Sequence, residues 1–159
     1  LSHLWELEVL NGPLDALHGE MVSVGTMIVL REYKRVARAI REGRCSVRTQ
    51  WEDDTELLEK TFGSRGFFEG IVEENTPEPL LKISPARLEV CLDEIAGLIE
   101  ELPEEEELAR MMDRAGCKRS VYEIGLSEEM IPQSLKLAPY VRRRLSFLRI
   151  LRMLRIEGE

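Results

Sequence analysis

Leu17-His18-Gly19-Glu20-Met21-Val22-Ser23-Val24-Gly25-Thr26 opens the stretch that decides how this chain folds. From there onward Leu17, Met21, Val24, Ile28, Val29, Val36 and Ile40 recur with a helical period, interrupted only by Gly25, and Gly43 supplies a stop. The spacing predicts one long helix over residues 14–42, begun at Pro13 or Leu14, around which other elements pack. Gly25 and Thr26 are small enough to admit a neighbouring helix at close range.

Just upstream lies Ser2-His3-Leu4-Trp5-Glu6, and the two stretches together hold both histidines of the chain. Between them Asn11-Gly12-Pro13 is a turn signal that ends one helical run and lets another begin. A helix, a tight turn and a second helix bring two imidazoles side by side. Neutral imidazole is a preferred ligand for zinc, nickel and iron(II), and Gly19 beside His18 leaves room for an ion or its substrate. A catalytic metal site normally takes three protein ligands, so a third is missing. Glu6, one helical turn after His3, and Glu20, two residues after His18, are the local candidates, although neither stands at an HExxH spacing. Residue types alone leave two readings open: a pair of metal ligands, His3 and His18, or two ordinary histidines of core or surface.

The pattern resembles the second half of the iron-containing and glycerol dehydrogenase superfamily, whose members share a similar histidine pair, the second inside an His-Gly-Glu segment followed by Val-x-Val-Gly-Thr. Within it the motifs resemble the sn-glycerol-1-phosphate dehydrogenase branch. Ser-His-Leu-Trp-Glu at 2–6 looks like that branch's first histidine motif, and the run at 17–26 looks like its second. Near the other end, Ile124-Gly125-Leu126, then Ala138-Pro139-Tyr140-Val141-Arg142 and Arg144-Leu145-Ser146-Phe147-Leu148, resemble its closing segment. Each motif is short; their order and spacing make the match specific.

The resemblance implies that His3 and His18 hold a divalent metal, zinc, nickel or iron, together with an aspartate further upstream that has no counterpart here. It also implies a nucleotide-binding α/β domain ahead of the first motif. The chain opens at Leu1 and contains no G-x-G-x-x-G turn, so residues 1–159 are expected to be the C-terminal helical domain without its N-terminal partner. In the complete enzyme the metal polarises the carbonyl of dihydroxyacetone phosphate while NADH or NADPH delivers hydride, giving sn-glycerol 1-phosphate for phospholipid metabolism, and the reverse reaction also runs. The chain alone is expected to be inactive. Contacts to the small phosphorylated substrate are unassigned; Arg31, Lys34 and Arg35 follow the site along the long helix and are the nearby cations. Two alternatives remain. The related 3-dehydroquinate synthases and other glycerol or alcohol dehydrogenases also place histidine ligands in a helical second domain, and a free-standing helical module that binds a partner protein needs no chemistry at all.

Composition agrees with a folded domain. A length of 159 residues with 43% hydrophobic content suffices for one core. Cys45, Cys91 and Cys117 are odd in number and lack C-x-x-C spacing, which reads as three thiols in a cytoplasmic protein. The apolar run at 21–30 is too short to span a membrane, and nothing resembles a signal peptide. The net charge of −8 discourages nucleic-acid binding. A homo-oligomer is compatible with all of this.

Charge is nonetheless uneven. From Ala138 onward six arginines face two glutamates, a local +4, so the remainder carries −12. Arg142, Arg143, Arg144, Arg149, Arg152 and Arg155 share a segment with Leu145, Leu148, Leu151 and Leu154. This predicts a terminal amphipathic helix with its leucines on the core and its arginines in solvent, preferred over a membrane-surface segment.

The remaining elements follow from local signals. Residues 1–11 read as a helix end, 51–62 as an acidic helix started at Asp53 or Asp54, and 66–74 as a helix burying Phe67, Phe68, Ile71 and Val72. Asn75-Thr76-Pro77-Glu78-Pro79 is a break. Ser84-Pro85 starts a helix to Leu102 with Leu88, Cys91, Leu92, Ile95 and Leu98 inward, and Pro103 starts another to Ala115. Glutamates 104–107 in its first turn suit the helix dipole, although such a run also suggests a cation site. Ser120-Val121-Tyr122-Glu123 caps a short turn, and Ser127-Glu128-Glu129 begins a helix to Leu137. Only residues 44–51 look extended. The expected class is all-α, an orthogonal multi-helix domain of the dehydroquinate synthase-like or iron-containing alcohol dehydrogenase C-terminal type.

Overall fold

The computed structural model describes residues 1–158. Helices α1 (Ser2–Glu6), α2 (His18–Arg41), α3 (Thr55–Phe62), α4 (Phe68–Glu74), α5 (Pro85–Glu100), α6 (Glu105–Arg114), α7 (Ile131–Leu137) and α8 (Phe147–Ile150) dominate. They are linked by single 3-10 turns and one short sheet of β1 (Cys45–Val47) and β2 (Leu154–Ile156). The expected all-α class holds, with that sheet as an addition.

α2 is the axis. Along its first half Met21, Val24 and Ile28 bury against Trp5, Val121, Ile124 and Leu126. Along its second half Val36 joins Leu80, Leu88 and Leu92, while Ala37 meets Ala96 and Ile99 of α5, small side chains that let two helices close together. The helix starts at His18 and not at Leu14. Leu17 holds extended backbone and its N–H donates to Glu20 Oε2 at 2.8 Å, so a carboxylate three residues ahead satisfies the first free amide. Leu14 and Ala16 pack on the core ahead of the helix, whereas Leu17 is exposed.

Several expected boundaries survive with small shifts. Ser84 Oγ accepts from the Arg87 N–H at the start of α5, Glu123 accepts from the Ser120 N–H, and Asp54 precedes α3. On α4 only Ile71 is fully buried; Phe67 and Val72 are exposed, as is Leu98 on α5, where Ala96 and Ile99 take the inward places. Glutamates 104, 106 and 107 lie on the exposed surface at the start of α6, as a solvated first turn should. Glutamates 104 and 105 also make ion pairs, with Lys34 at 2.7 Å and with Arg31 at 2.6 Å, fastening α6 to α2.

The terminal segment departs from expectation. In place of one amphipathic helix, a 3-10 turn Ala138–Tyr140 leads through turn structure to the short α8, a second 3-10 turn Leu151–Met153 and strand β2. β2 pairs antiparallel with β1 in the register Cys45 to Ile156, Ser46 to Arg155 and Val47 to Leu154. Alternation then puts Cys45, Val47, Leu154 and Ile156 on the helix-covered face. The arginine expectation fails at two positions: Arg149 is 0% exposed and Arg152 is buried, whereas Arg142, Arg143, Arg144 and Arg155 are exposed as expected; of the leucines, Leu145 is 47% exposed and Leu154 is buried.

Among the described residues no helix is long and apolar enough to cross a membrane. Cys45, Cys91 and Cys117 are free thiols, as their spacing suggested.

Candidate metal centre

α1 is five residues long, too short to be stable by itself, and its placement comes from two inward anchors. Leu4 enters the cluster of Leu58, Phe62, Ile71, Leu137, Tyr140 and Val141. Trp5 enters the Met21–Val24 cluster and its indole N–H donates to Ser134 Oγ at 2.9 Å, both groups being buried. With residues 4 and 5 inward, His3 and Glu6, one turn apart, share the outer face. Gly25 then lets α1 close on α2: a Cβ there would lie 3.2 Å from Leu1 Cβ and 3.8 Å from Trp5 Cζ3. Gly25 therefore does under the site what its size suggested, while the Thr26 hydroxyl simply donates to the Val22 carbonyl at 2.8 Å.

The turn after α1 carries Glu8 and Gly12 at positive φ and returns the chain so that His18 opens α2 beside α1. The two imidazoles meet with ring centroids 5.4 Å apart and planes at 71°, an edge-on arrangement. Both are exposed. His18 Nδ1 lies 2.7 Å from Glu6 Oε1. A carboxylate only accepts, so Nδ1 carries the proton in this contact and Nε2 is the nitrogen left for other partners.

The second local acidic candidate is committed elsewhere. Besides the Leu17 N–H, Glu20 engages Lys118 Nζ at 3.0 Å, and these two contacts hold its carboxyl below the usual range. Among the described residues no three His, Cys, Asp or Glu side chains gather to hold an ion. His3 and His18 are the right residue type for a metal ion and are open to solvent, and a site built on them would need a further ligand.

A cleft of about 440 Å³ lies beside His3. His3 and Glu6 form one wall; Phe67, Ile71 and Val141 supply apolar surface, and Glu74 and Arg142 add charge. No sequence signal links these residues, because α1, α4 and the segment after α7 are brought together by tertiary contacts, the Leu4 cluster and the bond from the Asn75 amide to the Tyr140 carbonyl among them. The other cations considered for substrate face elsewhere. Lys34 Nζ donates to the carbonyl of Leu102 at 2.8 Å at the exit of α5, Arg31 binds Glu105, and Arg35 binds Glu32 at 2.7 Å.

Comparison with known proteins agrees with the motif resemblance. The chain is 27% identical over 143 residues to a glycerol-1-phosphate dehydrogenase (NAD(P)+) of Geobacillus thermodenitrificans, a match covering 89% of this chain and 28% of the relative. It is 26% identical over 143 residues to the enzyme of the same name from Geobacillus stearothermophilus, with the same coverage. The chain thus spans little more than a quarter of the length of these curated relatives. No protein-family model matches it, and no solved structure does so significantly.

Proposed function

We propose that this chain is the helical, metal-binding part of a glycerol-1-phosphate dehydrogenase, and that a nucleotide-binding region elsewhere in the protein supplies NADH or NADPH and the third metal ligand. The observation that carries this reading is the histidine pair: two exposed imidazoles from helices α1 and α2, 5.4 Å apart, in the segment whose relatives bear that name. When bound, a divalent ion of zinc, nickel or iron supplies Lewis acidity toward the substrate's carbonyl or alkoxide oxygen.

The chain's own residues hold the geometry. Leu4 and Trp5 lock α1 against the core, so His3 keeps a fixed relation to His18 without a connecting bond. The cleft beside His3 offers an apolar wall of Phe67, Ile71 and Val141, which excludes water from one side of a bound small molecule. Dihydroxyacetone phosphate and sn-glycerol 1-phosphate are the substrate pair of this reading, and the supply of phospholipid backbones is its setting. Three free thiols suit a reducing cytoplasm.

Calorimetric titration with zinc and nickel tests it, using this chain, its His3→Ala and His18→Ala variants, and a longer form that carries a nucleotide-binding region. Weak binding by the chain that becomes tight in the longer form, and is lost in both variants, is the expected result. A longer form indifferent to both metals overturns the assignment.

A further inference from the structure

Glu6 and Glu20 are the two carboxylates near enough in sequence to complete a metal site with His3 and His18, and the structure gives each a different employment. Glu20 closes the start of α2 through the Leu17 N–H and binds Lys118. Glu6 faces His18 directly, with Oε1 2.7 Å from Nδ1. Two atoms that share one zinc ion at about 2.0–2.1 Å each lie roughly 3.3 Å apart at the tetrahedral angle. A separation of 2.7 Å is that of a charge-assisted hydrogen bond.

We propose that Glu6 is a positioning residue for His18 and not a metal ligand: its carboxylate holds the Nδ1–H tautomer and fixes the ring, leaving Nε2 as the ligating atom. The proposal rests on the metal-binding reading above for its purpose and on the Glu6–His18 contact for its substance. A metal-bound imidazole works best when its other N–H is held by a carboxylate, which sets ring orientation and strengthens the donor nitrogen. Here the holder is itself held. Glu6 ends a five-residue helix whose two preceding side chains, Leu4 and Trp5, are each 1% exposed, so its backbone position follows from the core. His18 opens α2 next to Gly19, where no neighbouring side chain competes for the ring. Among the described residues no hydrogen-bond partner occupies Nε2.

The consequence is that this chain contributes two ligands and one positioning group, and the remaining ligand comes from outside residues 1–158. Glu6 then lines the cleft with its carboxylate engaged by His18, and the other carboxylate of the cleft is Glu74.

The test reads tautomer and metal separately. In the metal-free chain, labelled with 15N at histidine and held near pH 8.5, about two units above the ordinary imidazole value, His18 shows the Nδ1–H form in the wild type. Glu6→Gln retains that form, because the amide oxygen still accepts; Glu6→Ala shifts His18 toward the Nε2–H form that free imidazole side chains favour. In the longer form, Glu6→Ala weakens zinc and nickel binding by about 10–100-fold, and Glu6→Gln by less. Unchanged thermal unfolding of both variants certifies the fold. An unaltered His18 tautomer in Glu6→Ala overturns the proposal. So does loss of metal in Glu6→Gln as complete as in His18→Ala, which makes Glu6 a ligand. A shifted tautomer in a protein that binds neither metal in either form supports the positioning role and removes the metal-binding reading instead.

Discussion

Arg152 and Asp54 meet in the interior, Nε to Oδ2 at 3.1 Å, with side chains 7% and 1% exposed. Around them Tyr140 Oη donates to the same oxygen at 2.7 Å, and Arg152 Nη1 binds Glu78 Oε2 at 2.8 Å while its guanidinium lies 4.8 Å from the Tyr140 ring. Arg149 completes the cluster, donating to Glu78, to Asn75 Oδ1 and to the Pro139 carbonyl. The network ties the start of α3, the break after α4 and the chain's last segment into one unit.

Removing one partner of such a pair leaves a buried charge uncompensated, which costs about 3–5 kcal/mol. Asp54→Ala leaves Arg152 Nε and the Tyr140 hydroxyl without a partner while Glu78 and the Glu52 carbonyl still hold the rest of the guanidinium, so the expected loss is at or below the low end of that range. Urea unfolding measures it; a loss below about 1 kcal/mol shows that water or Glu78 takes over the lost contact.

Burial, and then the hydrogen bond to Asp54, push the Tyr140 phenol well above its ordinary 10.0. A raised folded value means that the folded state keeps its proton longer than the unfolded chain. The associated stability is whole below pH 10.0 and disappears as pH climbs above it toward the folded value. Tyr140→Phe should flatten the alkaline decline, leaving the contribution of Tyr33, which burial also raises. It should also cost about 1.5–3 kcal/mol at neutral pH, the worth of a hydrogen bond to a charged group.

Glu78 supplies the acid limb. Burial alone lifts its carboxyl, but hydrogen bonds from Arg152 and Arg149 outweigh that and hold it below the ordinary 4.5. A depressed folded value means that the stability is present above pH 4.5 and is lost as pH falls through the lower folded value. Glu78→Gln is expected to lower stability at pH 7 and to reduce its slope below pH 4.5, measured by unfolding across that range. An unchanged acid slope means other carboxylates govern acid unfolding.

Gly25 sets the distance between α1 and α2, because a Cβ would sit 3.2 Å from Leu1 Cβ. Gly25→Ala gains up to about 1 kcal/mol of helix propensity, which offsets a small displacement of the Leu1 side chain. Gly25→Val overpacks the contact at a cost of about 1–3 kcal/mol and pushes His3 away from His18. The signature is weakened zinc binding in the longer form out of proportion to the lost stability; full metal affinity in Gly25→Val shows that α1 can shift without disturbing the pair.

Much of the fold was legible because its signals are local. The period of α2, the stop at Gly43, the Ser84-Pro85 start and the Ser120–Glu123 cap each depend on neighbours within a turn. The end of the chain was misread for the complementary reason. Leu145, Leu148, Leu151 and Leu154 are spaced like a helix face, and arginine is ordinarily a surface residue, yet Asp54, Glu78 and Asn75 wait inside to receive two guanidinium groups. Residues 44–51 read as extended and β1 lies within them, but its partner Leu154-Arg155-Ile156, more than a hundred residues later, was hidden in the helix-like spacing of the leucines.

By itself the sequence determined the helical class, the long axis helix, the three thiols and the two histidines with their motif context. These follow from composition and from spacing within a few residues, which the backbone reads without reference to the rest of the chain. Only the tertiary structure decided that the imidazoles lie 5.4 Å apart, that Glu6 holds His18 while Glu20 holds a helix start, and that Arg149 and Arg152 are core residues. Each of those outcomes depends on what a side chain meets across the packed interior. A distant carboxylate can make burial of a charge favourable, and no local pattern announces where that carboxylate will be.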